Sequence, residues 1–252
     1  MKNKSIRWGW AAGVALAAAI LAGCGGGGGD SGGGGTTPPV TSTSSFDVST
    51  AYRARTQAGA TENYNYTATN GGVTCTGTST FVFSPTASAT FDGATVLAST
   101  QTVTSATPTP GCELGSGTGT NYYNTNFVPV GLSVNPGLPS EQYGVLASAG
   151  TLPSAAKVGD TGTISTLNVY SNSAKTTKTG SRTVTYAIEA DTATTSLVNV
   201  ITKSYDNSAT PQLLSTEQKR YRMTAGAATL TLVSDDVQFA TTSTIHIVYT
   251  PH

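Results

Sequence analysis

Charged side chains and histidines are scarce in this sequence of 252 residues. Only 10% of the residues are Asp, Glu, Lys or Arg, and the only two histidines are His246 and His252. No spacing of histidines and cysteines corresponds to a zinc site, which uses several such ligands together. No basic patch of the kind that binds nucleic acid is present. The sequence therefore predicts no metal site, no cofactor and no nucleic-acid partner.

Convincing helical periodicity is missing after residue 23, whereas threonine occurs 46 times. Threonine is β-branched and suits the half-solvated face of a sheet. Apolar and polar residues alternate through stretches such as 73–83 and 183–190, which predicts strands with one covered face and one wet face. Glycine- and asparagine-containing turn signals lie between these stretches, an arrangement typical of antiparallel hairpins.

The predicted fold is an all-β body over residues 46–252, an antiparallel meander of ten or more strands. So many strands must curl or close to protect their edges, which favours a curved sheet, half-barrel or barrel. A β-sandwich, divided into two halves, is the alternative. The region 106–157 is rich in proline and glycine. We expect loops around a single strand there, over 121–130, and a candidate seam between two halves.

The first 23 residues have the organisation of an export signal, with three basic residues before the apolar run 8–22. The run ends in Leu21-Ala22-Gly23-Cys24, which resembles the lipobox of bacterial lipoproteins. The resemblance implies cleavage before Cys24, attachment of diacylglycerol to its thiol and acylation of the new amino terminus with a fatty acid such as palmitate. Gly25, rather than Asp, follows the cysteine, which in that family implies delivery to the outer membrane. An ordinary signal peptide is the alternative.

Residues 24–45 form a predicted stalk of Gly, Ser, Thr and Pro. Such a composition behaves as a flexible coil, and the 21 residues that follow Cys24, 25–45, reach on the order of 25 Å. Without residues 1–23 the chain keeps ten basic against 13 acidic residues, a net charge of −3. The whole chain is similar in this layout to uncharacterised Gram-negative lipoproteins with Gly-rich stalks.

Cys75 and Cys112 are the only cysteines besides Cys24. The export signal places them in an oxidising compartment, where a structural disulfide is expected. Closing this loop would stabilise the fold by roughly 4 kcal/mol. Free thiols with a redox role are the alternative.

Two pairs of arginines stand out in a chain with so little charge. Arg53 and Arg55, and likewise Arg220 and Arg222, would share a face if they lay on strands. They are candidate anion-binding residues, and solvated edge protection is the competing interpretation.

Catalytic signals are weak. Gly131-Leu132-Ser133-Val134-Asn135 resembles G-x-S-x-G without its last glycine, and no α/β pattern surrounds it. Asp235 and Asp236 should point to opposite faces of a strand, so they would not form an acid–base pair. His246 is expected on the outer, Thr-bearing face of a strand. Asp206-Asn207-Ser208 is expected to form a hairpin turn rather than a calcium loop. We therefore predict no catalytic residues.

The sequence favours a non-enzymatic lipoprotein of the outer membrane that binds an envelope protein, a glycan or a lipid. A carrier of lipid or of another hydrophobic ligand, held in a cleft of the curved sheet, is the alternative. A hydrolase is a third hypothesis.

Overall fold

The computed structural model describes residues 42–110, 112, 114–240 and 245–252. The predicted signal peptide, Cys24 and most of the predicted stalk lie outside these residues. The described residues form one helix and thirteen strands: α1 (Val48–Ala58), β1 (Ala60–Asn70), β2 (Val73–Phe83), β3 (Ala87–Phe91), β4 (Ala94–Ala106), β5 (Gly117–Tyr123), β6 (Pro129–Val134), β7 (Gln142–Ala149), β8 (Thr161–Tyr170), β9 (Lys178–Ala190), β10 (Thr195–Asp206), β11 (Leu213–Thr224), β12 (Thr231–Phe239) and β13 (Ile245–Pro251).

Twelve of these strands close into an antiparallel barrel. Strands β4 to β13 pair in chain order, β13 pairs with β1, β1 pairs with β2, and β2 pairs with β4 to complete the ring. Strand β3 is the extra strand, which pairs with the first part of β4. The all-β antiparallel prediction is confirmed, and the sheet closes fully. Closure leaves no long unpaired edge, which is the physical reason that a meander of this length curls.

Alternation along strands such as β1 separates side chains in the lumen from side chains on the outer surface. In β1, Tyr64, Tyr66 and Ala68 are buried, whereas Asn65 and Thr67 between them are exposed. Successive side chains of a strand point to opposite faces, so threonine and asparagine occupy the outside while larger residues fill the inside. The wet and covered faces inferred from the sequence are these two surfaces.

The region 106–157 contributes three strands, β5, β6 and β7, so the expectation of loops around one strand over 121–130 is wrong. These strands carry many glycines and a proline, which lower intrinsic strand preference. Pairing with β4 on one side and β8 on the other supplies the ladder hydrogen bonds that override this preference. The region thus forms part of the barrel wall.

Helix α1 is absent from the sequence-based expectations. Its start is marked by Asp47, whose carboxylate accepts a hydrogen bond from the backbone N–H of Thr50 at 3.0 Å. It ends at Gly59, which has φ of +70° and lies so close to β2 that a Cβ there would sit 2.5 Å from the Phe83 carbonyl oxygen. At 11 residues with mostly polar side chains, the helix has too weak an apolar stripe for a periodicity argument.

Helix α1 packs with one face against the inside of the barrel, while Thr50, Arg53 and Gln57 on its other face are exposed. Phe46, Val48 and Ala51 are at most 1% exposed and pack against inward-facing residues of β8 to β11. On other sides, α1 residues contact β1 and β2 and approach the β5–β6 loop, as described below. An antiparallel backbone bridge between Phe46 and Ala156 fixes the segment before the helix to the wall. The helix therefore covers part of the barrel interior with one face and presents the other face to solvent.

A second apolar cluster fills the lumen beside β1, β2, β12 and β13. It contains Tyr64, Phe81 and Tyr249, whose rings meet edge to face at centroid distances of 4.9 to 5.4 Å. The disulfide between Cys75 and Cys112 belongs to this cluster, which confirms the predicted pairing. It fastens the segment between β4 and β5 to the strand β2.

Candidate functional site

A cavity of about 100 Å³ remains in the lumen beside α1. We call it the inner cavity. One part of its wall is aliphatic, built from Leu132, Leu167, Val184 and Val200, and another part is polar and charged. An aliphatic wall with a few convergent polar groups is the usual composition of a small-molecule site. The side chains below line the inner cavity or lie next to those that do.

Two ion pairs lie at the polar wall. Arg55 of α1 pairs with Glu62 of β1, and its guanidinium also lies over the ring of Tyr221, 5.0 Å from the centroid. Glu62 accepts a second hydrogen bond, from the Tyr64 hydroxyl at 2.6 Å. Arg55 thus links the end of the helix to the barrel wall on two sides.

Lys219 of β11 forms the second pair. Its Nζ lies 3.1 Å from Oδ2 of Asp235, its neighbour on β12, and 3.8 Å from Oε2 of Glu62. Burial alone would lower the pKa of Lys219, but attraction to Asp235 raises it well above its ordinary value. Lys219 is therefore charged and compensated.

Glu217 lies two residues before Lys219 on the same inner face and is 3% exposed. Burial, followed by repulsion from Asp235, raises its pKa well above the ordinary value. Its Oε2 has no hydrogen-bond partner among the described residues. Its Oε1 lies 3.9 Å from Nζ of Lys219, so Glu217 belongs to the same charged cluster as Lys219 and Asp235.

Arg182 of β9 is the exceptional cation. Its side chain is buried, its Nε has no hydrogen-bond partner, and it forms no ion pair with any carboxylate that the structure describes. Burial lowers its pKa to about 10, and attraction to Glu217 offsets this effect only in part. Arg55 and Lys219 each form an ion pair, so Arg182 is the buried cation at the inner cavity that has none among the described residues.

Two further lining residues have buried polar atoms without partners within the described part of the chain. These atoms are Oε1 of Gln101 on β4 and Oγ1 of Thr202 on β10. A buried polar group without a hydrogen-bond partner lowers the stability of a protein by about 1–3 kcal/mol. Native proteins rarely retain several in one place without a ligand or water to satisfy them.

The structure separates the four arginines that the sequence singled out. Arg53 and Arg55 lie on α1, not on a strand, and only Arg55 reaches the inner cavity; Arg53 is exposed, with its guanidinium 5.5 Å from the centroid of the Phe127 ring. Arg220 and Arg222 do share the outer face of β11. Each is paired there with a carboxylate, Glu189 and Asp191 respectively.

The candidate catalytic residues are not brought together. Ser133 lies on β6 and His246 on β13, and at least four other strands separate these two in the ring. His246 lies 3.0 Å from Asp236 on the outer face. Asp235 precedes Asp236 on β12 and faces the lumen, because successive side chains of a strand point to opposite faces.

The segment from Asp206 forms the expected hairpin turn between β10 and β11. The Asp206 carboxylate accepts hydrogen bonds from the backbone N–H groups of Ser208 and Gln212.

Sequence reasoning missed the residues that matter most at the inner cavity. Arg182 has the same period-two phase as Val184, Tyr186 and Ile188, and Lys219 has the phase of Tyr221 and Met223. The available signal was therefore a charged residue at a strand position whose neighbours two residues away, on the same face, are apolar. Such a residue must be buried, so it needs a partner or a ligand.

Membrane-spanning helices and metal sites are absent from the described residues, and the comparisons with known proteins found no match. Within the described residues, no helix is long and apolar enough to cross a membrane. The same part of the chain has no group of three or more His, Cys, Asp or Glu residues placed to hold a metal ion. No protein-family model, curated protein or solved structure matches this chain.

Proposed function

We propose that this protein is a non-enzymatic binding module of the bacterial cell envelope whose ligand is a small, partly apolar molecule held inside the barrel. The observation that carries the proposal is the inner cavity, in which buried polar atoms of Arg182, Gln101 and Thr202 lack partners. A ligand that forms hydrogen bonds with these atoms would offset the free-energy cost of burying them without partners.

The size of the inner cavity favours a small ligand over the lipid cargo of the alternative hypothesis. An apolar protein cavity of about 150 Å³ is large enough for benzene. The inner cavity, at about 100 Å³, suits a molecule of similar or smaller size. Tyr52, Arg55 and Thr56 of α1 line one side of the inner cavity and limit its size.

The proposed location is the outer membrane, where acyl chains on Cys24 would anchor the chain. The lipobox resemblance supports this, and the disulfide between Cys75 and Cys112 fits an exported protein. We expect Cys24→Ala to move the protein from the membrane fraction to the soluble fraction or to leave an uncleaved precursor. Normal cleavage together with unchanged membrane attachment would contradict the anchor.

The separation of Ser133 from His246 supports a binding function over the hydrolase hypothesis, because a serine nucleophile needs a base within hydrogen-bond reach. The two lie on different sides of the barrel. The outward-facing arginines are paired with carboxylates, so they favour the inner cavity over the outer surface as the binding site.

Native mass spectrometry of protein extracted gently from membranes tests the proposal. We expect wild type to carry a bound small molecule. Val200→Phe, which fills the inner cavity, should lose it. Val82→Phe is the matched control, because Val82 is 43% exposed on the outer face. A ligand retained by a folded Val200→Phe variant, or repeatedly absent from wild type, would contradict binding in the inner cavity.

A further inference from the structure

We infer that the ligand of the inner cavity is a small carboxylate, whose carboxylate group pairs with the Arg182 guanidinium while its short apolar part lies against the aliphatic wall. This inference rests on the proposed function and adds the chemical class of the ligand. It starts from the one buried cation for which the described residues supply no counter-ion.

The ion pairs of the lumen leave one buried cation without a partner among the described residues. Arg55 pairs with Glu62, and Lys219 pairs with Asp235 and Glu217, whereas Arg182 forms no ion pair with a described carboxylate. Arg182 can therefore pair with one anionic group of a ligand. A carboxylate carries one negative charge, whereas a phosphate monoester carries up to two and would need further donors.

The fork of donors on a guanidinium matches the two oxygens of a carboxylate. Thr202 lies diagonally across from Arg182 on β10, with an unpartnered hydroxyl that can donate to the same group. Such diagonal neighbours are within reach of long side chains. A carboxylate bound to Arg182 would thus satisfy two of the three unmet atoms of the inner cavity.

The aliphatic wall begins next to this cation. Leu167 lies opposite Arg182 on β8, and Val184 follows Arg182 on the same face of β9. Val200 lies two residues before Thr202 on β10. A molecule with its anionic end on Arg182 therefore places its next carbon atoms on apolar side chains. Short alkyl carboxylates such as butyrate have this shape.

Methyl NMR of the full chain in detergent can test the inference directly. Leucine and valine methyls are labelled, so Leu132, Leu167, Val184 and Val200 report on the inner cavity and exposed Val82 reports on the outer surface. The protein is titrated with butyrate and, separately, with butyramide, a neutral molecule of the same number of heavy atoms.

We expect butyrate to shift the cavity methyls saturably and to bind at least tenfold more tightly than butyramide. Arg182→Met should abolish that preference, because a hydrogen-bonded charge contributes roughly 10- to 100-fold in affinity. Arg182→Lys keeps the charge without the fork and should retain part of the preference. Arg222→Met, on the outer face, should leave the preference unchanged. The methyl spectrum of each variant shows whether it is folded.

The outcomes separate this inference from the proposed function. Equal binding of butyrate and butyramide, or a preference that survives Arg182→Met, overturns the carboxylate inference and leaves binding in the inner cavity intact. If neither compound shifts the cavity methyls although wild type co-purifies with a ligand, the carboxylate inference is also overturned. If neither binds and no ligand co-purifies, both proposals fail.

Discussion

Replacing Arg182 by methionine should make the ligand-free protein more stable, although it removes a native residue. Methionine has a long unbranched side chain that can pack where the aliphatic stem of the arginine packs. It carries no charge that must be buried. The variant thus removes the free-energy cost of burying the charge while it keeps most of the side-chain packing.

The magnitude follows from the environment of the guanidinium. Burial lowers the pKa of Arg182 from its ordinary value to about 10. This difference corresponds to roughly 3 kcal/mol against the charged form in the folded state. This pKa already includes the attraction to Glu217, so we expect the free energy of unfolding to rise by about 3 kcal/mol. Replacement of buried charges by apolar residues of similar size has gains of about 1–4 kcal/mol.

Urea unfolding of the purified protein, followed by circular dichroism, measures this difference at pH 7. The pH dependence gives an independent check. The folded-state pKa of Arg182 lies below the unfolded value, so the folded chain releases this proton first and the penalty decreases as the pH rises through about 10. The difference in free energy of unfolding between Arg182→Met and wild type should therefore be smaller by roughly 1 kcal/mol at pH 11 than at pH 7.

A clear destabilisation by Arg182→Met would refute the reasoning, because it would mean that Arg182 is well paired in the folded protein. A difference in free energy of unfolding that stays constant up to pH 11 would also contradict the proposed cost of burying the Arg182 charge. Arg222→Met is the matched control: Arg222 is paired with Asp191 on the outer face, and its removal should change the stability little.

Three other changes test neighbouring features. Lys219→Met leaves Asp235 buried without its cation and should lower the free energy of unfolding by roughly 3–5 kcal/mol in urea; a neutral effect would contradict the ion pair. Cys75→Ser breaks the bond to Cys112 and should cost roughly 4 kcal/mol, with no further loss when reductant is added. Wild type treated with reductant should match it. The folded-state pKa of Glu217 is raised above its ordinary 4.5, so the folded chain holds this proton more tightly and the group lowers stability as the pH rises above that value. Glu217→Gln should remove this part of the pH dependence in urea titrations from pH 4.5 to 8, and an unchanged profile would show that Glu217 is ionised.

The strands were predictable because their signal is local. Alternation in 73–83 places Cys75 and Phe81 on one face and threonines on the other, and β2 has these two faces. Helix α1 was not predictable in the same way. Its stability comes from burial of Phe46, Val48 and Ala51 in the lumen rather than from a strong apolar stripe of its own.

The candidate site was only partly predictable. Arg55 was singled out as an anion-binding residue, but in the structure it is a helix residue paired with Glu62. Arg182 and Lys219 were overlooked, although their phase among apolar neighbours placed them inside. No local pattern could have told them apart, because Lys219 has its partner on β12 whereas Arg182 has none among the described residues.

The sequence by itself determined that this chain forms an antiparallel all-β body, which face of its clearly alternating strands is covered, and which two cysteines pair. These properties depend on period-two alternation, on turn residues and on a count of cysteines. Only the tertiary structure decided that the sheet closes, because closure depends on pairing of β1 with β13 and of β2 with β4. It also decided that helix α1 packs against the inside of the barrel and that Arg182 faces the inner cavity with no ion pair among the described residues. Those facts depend on contacts between residues distant in sequence, whose energies no local pattern records.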